Sequence, residues 1–276
     1  MDFEDLLRGA GPLVLAALAA WVVDHITARR GLRPPGFAMP WRRIAASTVV
    51  GLVLYVGVFS PLGRLGQAPE TNFSAIHPIQ LFGLHALLVA SMVVWYLLGF
   101  AGSGDDWRRR WVSQFGFRTN RPGWEAGLGV LAGLAAWALV LTVLIAIAGL
   151  VYLAGAEKSL PQTPPAAIPW IAGQPFLLKV LLALSAGVIE ESFFRGFLQP
   201  RVGIALSTLF FAMAHLSYDQ PFMLVGVTLL SLLFAFIVRW RQSLWAAMAA
   251  HAVFDAVQLL VVIPFALKFM PGAGVP

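Results

Sequence analysis

Long apolar stretches alternate with short polar segments along the whole chain. Eight of these stretches approach the ~20 residues that an α-helix needs to cross about 30 Å of hydrocarbon. They cover residues 11–27, 44–62, 78–101, 124–154, 175–198, 203–217, 221–238 and 243–270. Apolar and polar positions do not alternate within them, which excludes the ~10-residue strands of an outer-membrane β-barrel. The pattern predicts an all-α fold, a polytopic membrane bundle of about eight transmembrane helices.

The composition agrees with a membrane protein built as a single domain. Hydrophobic residues make up 59% of the 276 residues and charged residues 12%, whereas soluble domains have roughly 45–50% and about 25%. Without an internal repeat or a low-complexity linker, residues 1–276 are expected to form one membrane domain. Its first part, 1–155, carries four spans without motifs, and 175–270 carries four spans with candidate chemistry. The proline-rich segment 160–175 is expected to be an outside loop.

The residue types that are absent or in excess narrow the possible functions. The chain contains no cysteine, which excludes disulfides, thiolate metal ligands and a thiol nucleophile. Any catalysis must therefore use carboxylate, imidazole or hydroxyl groups. The net charge is +6, but without a separate basic domain we expect no nucleic-acid partner. The first residues are acidic and no small-residue cleavage site follows, so no removable signal peptide is expected.

The distribution of basic residues predicts the orientation in the membrane. When the spans are threaded alternately, fourteen of the 19 Lys and Arg residues follow or end spans one, three, five and seven. They are Arg29, Arg30, Arg33, Arg42, Arg43, Arg108, Arg109, Arg110, Arg118, Arg121, Arg195, Arg201, Arg239 and Arg241. Cytoplasmic loops carry such an excess, so both termini are expected outside the cytoplasm. The preference for Arg over Lys, with abundant Ala and Gly, favours a bacterial inner (plasma) membrane.

One basic loop also contains aromatic residues. Between residues 108 and 121, Trp111, Phe115 and Phe117 alternate with arginines. The segment is either a short interfacial element on the cytoplasmic leaflet or a solvated basic loop, and the sequence leaves both open.

Six ionisable side chains lie inside the apolar spans of the C-terminal third. Inserting a charged residue at the centre of a spanning helix costs about 2.5–3.5 kcal/mol of free energy, so its presence indicates an interaction partner or a function. They are Glu190, Glu191 and Arg195 on the fifth span, His215 on the sixth, and His251 and Asp255 on the eighth. At 1.5 Å per residue from the cytoplasmic ends, Glu190, His215 and His251 reach depths of roughly 16, 18 and 12 Å. This shared depth predicts that three helices bring the groups together.

The spacing within each helix indicates which side chains meet. Glu191 and Arg195 are four residues apart, so they are expected to share a helical face and to form an ion pair. This pair is expected to help hold the fifth span against its neighbouring helices. Glu190 points about 100° away and is expected to lie between imidazoles from other helices. Phe211 and His215, like His251 and Asp255, also have the four-residue spacing.

The remaining polar residues inside spans are expected to be structural. We expect His85 in the third span to be a packing residue, and likewise the adjacent Asp24 and His25 at the end of the first span. Lys179, one turn into the fifth span, is expected to extend its ammonium towards the membrane surface.

Three short motifs follow one another along the chain. Residues 190–195 read EExxxR, residues 211–215 read FxxxH and residues 251–255 read HxxxD. Their order and separation resemble the CPBP intramembrane proteases, the group that includes the type II CAAX prenyl endopeptidases and many bacterial relatives. The resemblance covers about residues 175–262. It departs from the prenyl-processing members at Asp255, where those proteins usually carry Asn.

The resemblance implies a glutamate-dependent endopeptidase with a membrane-embedded cavity that opens to the cytoplasm. By this analogy Glu190 is the general base, His215 helps to hold the attacking water, and His251 and Asp255 face the developing oxyanion. The side chains that would support the site are Glu191, Arg195 and Phe211. It implies no cofactor and no metal. The substrate would be a peptide or protein, prenylated or not, that enters from the bilayer or the cytoplasmic side, and no feature specifies an oligomeric state.

Two roles for Asp255 remain open at this point. The side chain could act in its protonated form, as a hydrogen-bond donor to the oxyanion, and this role is favoured. Alternatively it could accept a hydrogen bond and orient His251 one helical turn away.

Other functions are compatible with the same residues. Two histidines and a glutamate from three helices can ligate zinc and leave a position for water, as in a zinc-dependent protease. Carboxylates and histidines in the middle of a membrane also relay protons in transporters, although the first half of the chain has no matching motifs. A non-catalytic membrane partner is the third alternative.

Overall fold

The computed structural model describes residues 3–64, 76–102, 104, 106–161, 163–165, 167–216 and 221–269. Every regular element in these ranges is helical, so the predicted all-α class is confirmed. The α-helices are α1 (Phe3–Arg29), α2 (Pro40–Leu54), α3 (Gly83–Phe100), α4 (Trp107–Phe115), α5 (Pro122–Leu153), α6 (Ala167–Ala172), α7 (Phe176–Ser185), α8 (Gln199–Ala214), α9 (Pro221–Arg241), α10 (Trp245–Val257) and α11 (Ile263–Lys268). The π-helical segments are Tyr55–Phe59, Ala186–Glu190, Ser192–Leu198 and Gln258–Val262.

Within the described ranges, six helical stretches are long and apolar enough to cross a membrane. They are Gly9–Arg29, Pro40–Gly63, Pro78–Phe100, Pro122–Leu153, Phe222–Arg241 and Trp245–Lys268, and each matches one predicted span. The two other predicted spans, 175–198 and 203–217, correspond to α7 with its π-helical continuation and to α8. The first of these contains several charged residues and the second is short, so neither is among the six long apolar stretches. With these two helices included, the structure is consistent with about eight spans. The predicted ends at residues 217 and 270 lie outside the described residues.

A sharp kink separates those two spans. Gly203, inside α8, has φ 88° and ψ 173°, a conformation that only glycine adopts without strain. The break in the sequence pattern around residues 200–203 therefore marks a real change of direction between two helices.

Two predicted loops contain helices. The segment 160–175, predicted to be a loop, includes α6, which contacts α11 and the segment Gln258–Val262. The basic segment 108–121 includes α4, whose Phe115 is completely buried against Trp95 and Phe197. Because its aromatic face is buried in the bundle, the structure favours the interfacial element over the solvated loop.

The helices pack into two hydrophobic clusters. The first joins α1, α2, α3, α4, the π-helical segment Ser192–Leu198 and α8. The second joins α5, α9 and α10. Polar contacts of Arg195 with Ser231 on α9 and of Glu191 with His251 on α10 connect the two clusters, and both contacts belong to the candidate site.

Glycines allow α10 to approach its neighbours at backbone contact distance. A Cβ atom on Gly133 of α5 would lie 2.5 Å from the carbonyl oxygen of Ala250, and one on Gly187 would lie 2.6 Å from that of Met248. A larger residue at either position would therefore push the helices apart. The close fit of α10 between α5 and the segment Ala186–Glu190 brings the eighth-span motif next to the fifth.

Charged residues from several loops meet at one end of the bundle. The contacts are Arg30 with the carbonyl oxygen of Pro200, Arg42 with that of Ala101, Arg201 with Gln114, and Arg241 with Glu125. The loops after the first, third, fifth and seventh predicted spans thus lie together, as alternate threading requires. The charge of these loops remains the basis for predicting that this end faces the cytoplasm.

The lone polar residues of the first and fifth spans have defined partners. Asp24 forms ion pairs with Arg43 and Arg33, so it is more than a packing residue, whereas His25 stacks on Trp21. The ammonium of Lys179 donates to the carbonyl oxygen of Ala172 at 3.0 Å.

Candidate active site

The EExxxR motif lies in a helix that is not regularly α-helical. Glu190 ends the π-helical segment Ala186–Glu190, and Arg195 lies within the next one, Ser192–Leu198. In a π-helix each hydrogen bond joins residues i and i+5, which changes the angular position of the following side chains, and such turns are frequent at functional sites. The backbone therefore departs from α-helical geometry on both sides of Glu191.

Glu191 and Arg195 form a buried ion pair. Oε2 of Glu191 lies 3.3 Å from Nε of Arg195, and neither side chain is more than 1% exposed. Nη2 of Arg195 donates to both the carbonyl oxygen and the hydroxyl of Ser231 on α9. The guanidinium also lies 4.4 Å from the ring centre of Phe211, a favourable contact between a cation and an aromatic face. Arg195 thus connects the fifth span to α8 and α9.

His251 lies between two carboxylates. Its Nδ1 is 2.9 Å from Oε1 of Glu191, and its Nε2 is 3.4 Å from Oδ2 of Asp255. The ring is buried and stacks on Phe234. One carboxylate thus lies at each nitrogen of the ring.

Glu190 contacts His85, a residue that the sequence predicts only to pack. Its Oε1 lies 3.2 Å from Nε2 of His85 on α3, and both side chains are largely buried. Its other oxygen, Oε2, is buried and accepts no hydrogen bond from the described part of the chain. The structure therefore corrects the interpretation of His85, which holds one oxygen of Glu190 and leaves the second available.

His215 occupies the end of α8. Its Nδ1 lies 2.7 Å from the carbonyl oxygen of Phe211, one turn earlier. A carbonyl can only accept, so Nδ1 carries the proton, and in a neutral ring Nε2 is then an acceptor. This tautomer suits an imidazole that accepts a proton from water.

The histidines of three helices surround the charge of Glu190. Its carboxylate interacts electrostatically with the imidazoles of His85, His215 and His251. The rings of His215 and His251 both contact Phe211, and His85 on α3 contacts Glu190, so α3 adds a helix that the motifs did not include. The only sequence signal for His85 was an ionisable residue inside an apolar span.

In the described ranges, no group of three or more His, Asp or Glu side chains is placed to hold a metal ion. A zinc-binding histidine must offer a deprotonated nitrogen, whereas both nitrogens of His251 face carboxylates and Nε2 of His85 faces Glu190. Zinc ligation by any of these three nitrogens would have to break the contact that the nitrogen makes.

Comparison with known proteins identifies the same part of the chain. Residues 172–257 match the family model for Type II CAAX prenyl endopeptidase Rce1-like proteins. Uncharacterized protein YpbD of Bacillus subtilis (strain 168) is 35% identical over 79 residues, which are 28% of this chain and 42% of YpbD. The aligned region thus spans less than half the length of this curated relative. No solved structure gives a significant match. The resemblance to the type II CAAX prenyl endopeptidases is therefore confirmed for residues 172–257, the part of the chain that carries all three motifs.

Proposed function

We propose that this protein is a membrane-embedded endopeptidase that uses Glu190 to activate water. The observation that carries the proposal is the environment of this carboxylate. It is largely buried and interacts electrostatically with His85, His215 and His251; one of its oxygens contacts His85, and the second accepts no hydrogen bond from the described residues. The matched family model, which describes endopeptidases, supports the same reaction.

In the proposed reaction, Oε2 of Glu190 accepts a proton from water while the water oxygen attacks the carbonyl carbon of a peptide bond. His85 keeps Glu190 in place by donating to Oε1, and Nε2 of His215 accepts a hydrogen bond from the second O–H of the water. The protonated Glu190 then transfers its proton to the leaving nitrogen as the C–N bond breaks. The products are an amine and a carboxylic acid, which ionises by releasing the second proton of the water to solvent, and Glu190 returns to its starting state.

The group formed by Arg195, Glu191, His251 and Asp255 has an electrostatic role in this proposal. Cations and anions alternate along it, so the four charges compensate one another in a buried position. The positive ring of His251 would stabilise negative charge that develops on the substrate oxygen. The contact between Asp255 and His251 favours the orienting role of Asp255 over the donor role that the sequence analysis favoured.

The substrate class follows from where the site lies. Glu190 and His251 belong to helices in the interior of a membrane bundle, so we propose a polypeptide substrate that reaches the site from the bilayer or the cytoplasmic side. We further propose, from the charge distribution, a bacterial plasma-membrane protein with both termini outside the cytoplasm. Mass spectrometry of the cleaved peptides also determines whether the substrates are prenylated.

Mass spectrometry of membrane peptides tests the proposal. Cells that produce the native chain are compared with cells that produce Glu190→Gln at equal abundance. The native chain should generate peptide termini that the variant does not, and the sequences around these termini define the substrate and any lipid modification. Identical peptide sets, together with no cleavage of a peptide library by the purified native protein, would refute the proposal.

A further inference from the structure

A second site on the protein lies between α1 and α2, and none of the candidate catalytic residues lines it. The groove has a volume of about 660 Å³, within the range of small-molecule sites. Its floor consists of small side chains and its rims of large apolar ones that are 53–66% exposed. The floor residues include Ala16, Ala20 and Gly51, and the rim residues include Trp21, Ile44 and Leu52. Because both helices are able to span the membrane, the open side faces lipid.

The length of the groove matches one leaflet. Along α1 it extends from Leu13 to Asp24, eleven residues apart, which corresponds to about 16 Å of helix at 1.5 Å per residue. Half of a hydrocarbon core of about 30 Å is ~15 Å. An acyl chain that lies along the groove therefore runs through about the depth of one leaflet.

The inner end of the groove is polar and carries an excess positive charge. Arg43 contacts Oδ2 of Asp24 at 2.6 Å, and Arg33 contacts the same oxygen at 3.3 Å. The side chains of Arg43 and Arg33 are 42% and 32% exposed, whereas that of Asp24 is 12% exposed. Asp24 and Arg43 line the groove, and Arg33 joins them through its contact with Asp24. Because two cations share one anion, this end keeps a net positive charge that attracts a second anion.

This polar end lies at the level expected for lipid headgroups. It is close to the end of α1 and the beginning of α2, where Trp41 is 60% exposed. Exposed tryptophans of this kind collect at the interface between hydrocarbon and headgroups. Basic pockets between transmembrane helices at this level bind anionic headgroups.

We propose that the groove binds one phospholipid with an anionic headgroup. One acyl chain occupies the apolar part between α1 and α2, and the phosphate contacts Arg33 and Arg43. A zwitterionic lipid fills the same groove, but its cationic group opposes the excess positive charge. The site therefore prefers anionic lipids of the leaflet that contains the basic loops.

Native mass spectrometry of the full chain in detergent tests the headgroup part. Phosphatidylglycerol and phosphatidylcholine with identical oleoyl chains are added separately. We expect one retained phosphatidylglycerol per chain, with at least tenfold tighter binding than phosphatidylcholine. Arg43→Gln and Arg33→Gln should each reduce this preference to less than about threefold. Equal binding of the two lipids by the native chain would overturn the proposal.

A steric variant tests the groove itself. Ala17 is exposed and lines the groove, whereas Ala135 is exposed on α5 outside it. Ala17→Phe should abolish the retained lipid, and the matched control Ala135→Phe should retain it. Undiminished binding in Ala17→Phe would overturn the proposed position. Inorganic phosphate alone should not raise the melting temperature, and a shift equal to that with phosphatidylglycerol would show an anion site rather than a lipid site.

Discussion

Replacing Glu191 with Gln removes the carboxylate that lies between two buried cations. Its Oε1 is 2.9 Å from Nδ1 of His251, and its Oε2 is 3.3 Å from Nε of Arg195. A glutamine amide has the same size but no charge. Arg195 therefore loses its ion-pair partner, and Asp255 is the one carboxylate left in contact with His251 among the described residues.

The magnitude follows from what each cation retains. Removing one partner of a buried ion pair typically costs about 3–5 kcal/mol, because an uncompensated charge stays in a poorly solvated site. Arg195 keeps two hydrogen bonds to Ser231 and its contact with the ring of Phe211. We therefore expect a loss of about 3 kcal/mol. At roughly 2–4 °C per kcal/mol, the melting temperature falls by about 6–12 °C.

Glu190→Gln is the matched control, since it makes the same chemical change one residue earlier. Glu190 has one hydrogen-bond partner, His85, and a glutamine oxygen can still accept from it. We expect the melting temperature to stay within about 2 °C of the native value. Loss of a general base should lower the cleavage rate by about 10²–10⁴-fold.

Both measurements are made on the native protein and the two variants in one detergent. Tryptophan fluorescence during heating gives the melting temperature, and mass spectrometry of a cleaved membrane peptide gives the rate. If Glu191→Gln melted like the native protein while Glu190→Gln was destabilised and active, the assignment of roles within the glutamate pair would be wrong.

Three further predictions test the remaining parts of the site. His85→Phe removes the donor to Glu190 and should lower kcat at least tenfold. His85→Gln keeps an N–H donor, so its kcat should fall less. Equal kcat values in both variants and the native enzyme would show that His85 only packs. Asp255→Asn should weaken cleavage at every pH, because an amide cannot stabilise an imidazolium at His251 as a carboxylate does. Activity of this variant that extends to higher pH would instead support a protonated Asp255 that acts as a donor. Asp255→Leu should be nearly inactive in either case. Cleavage should survive prolonged EDTA or phenanthroline, with well under one zinc per chain; stoichiometric zinc whose removal abolished activity would establish the metalloprotease.

The sequence by itself determined the features that depend on local pattern. Apolar stretches of about 20 residues are sufficient to specify membrane helices, because the hydrocarbon thickness fixes their length. The four-residue spacing of Glu191 and Arg195 was sufficient to predict their contact within one helix. The three motifs likewise predicted a family resemblance over about residues 175–262, and the family model matches residues 172–257.

Only the tertiary structure decided which side chains meet across helices. Glu190 contacts His85, 105 positions away, and Glu191 contacts His251, 60 positions away. Spacing along one helix gives an approximate direction for each side chain, but π-helical turns change that direction and the neighbouring helix supplies the partner. The groove between α1 and α2 depends in the same way on how two apolar helices diverge. Hydropathy predicts that both helices contact lipid, whereas only their packing determines where the lipid fits.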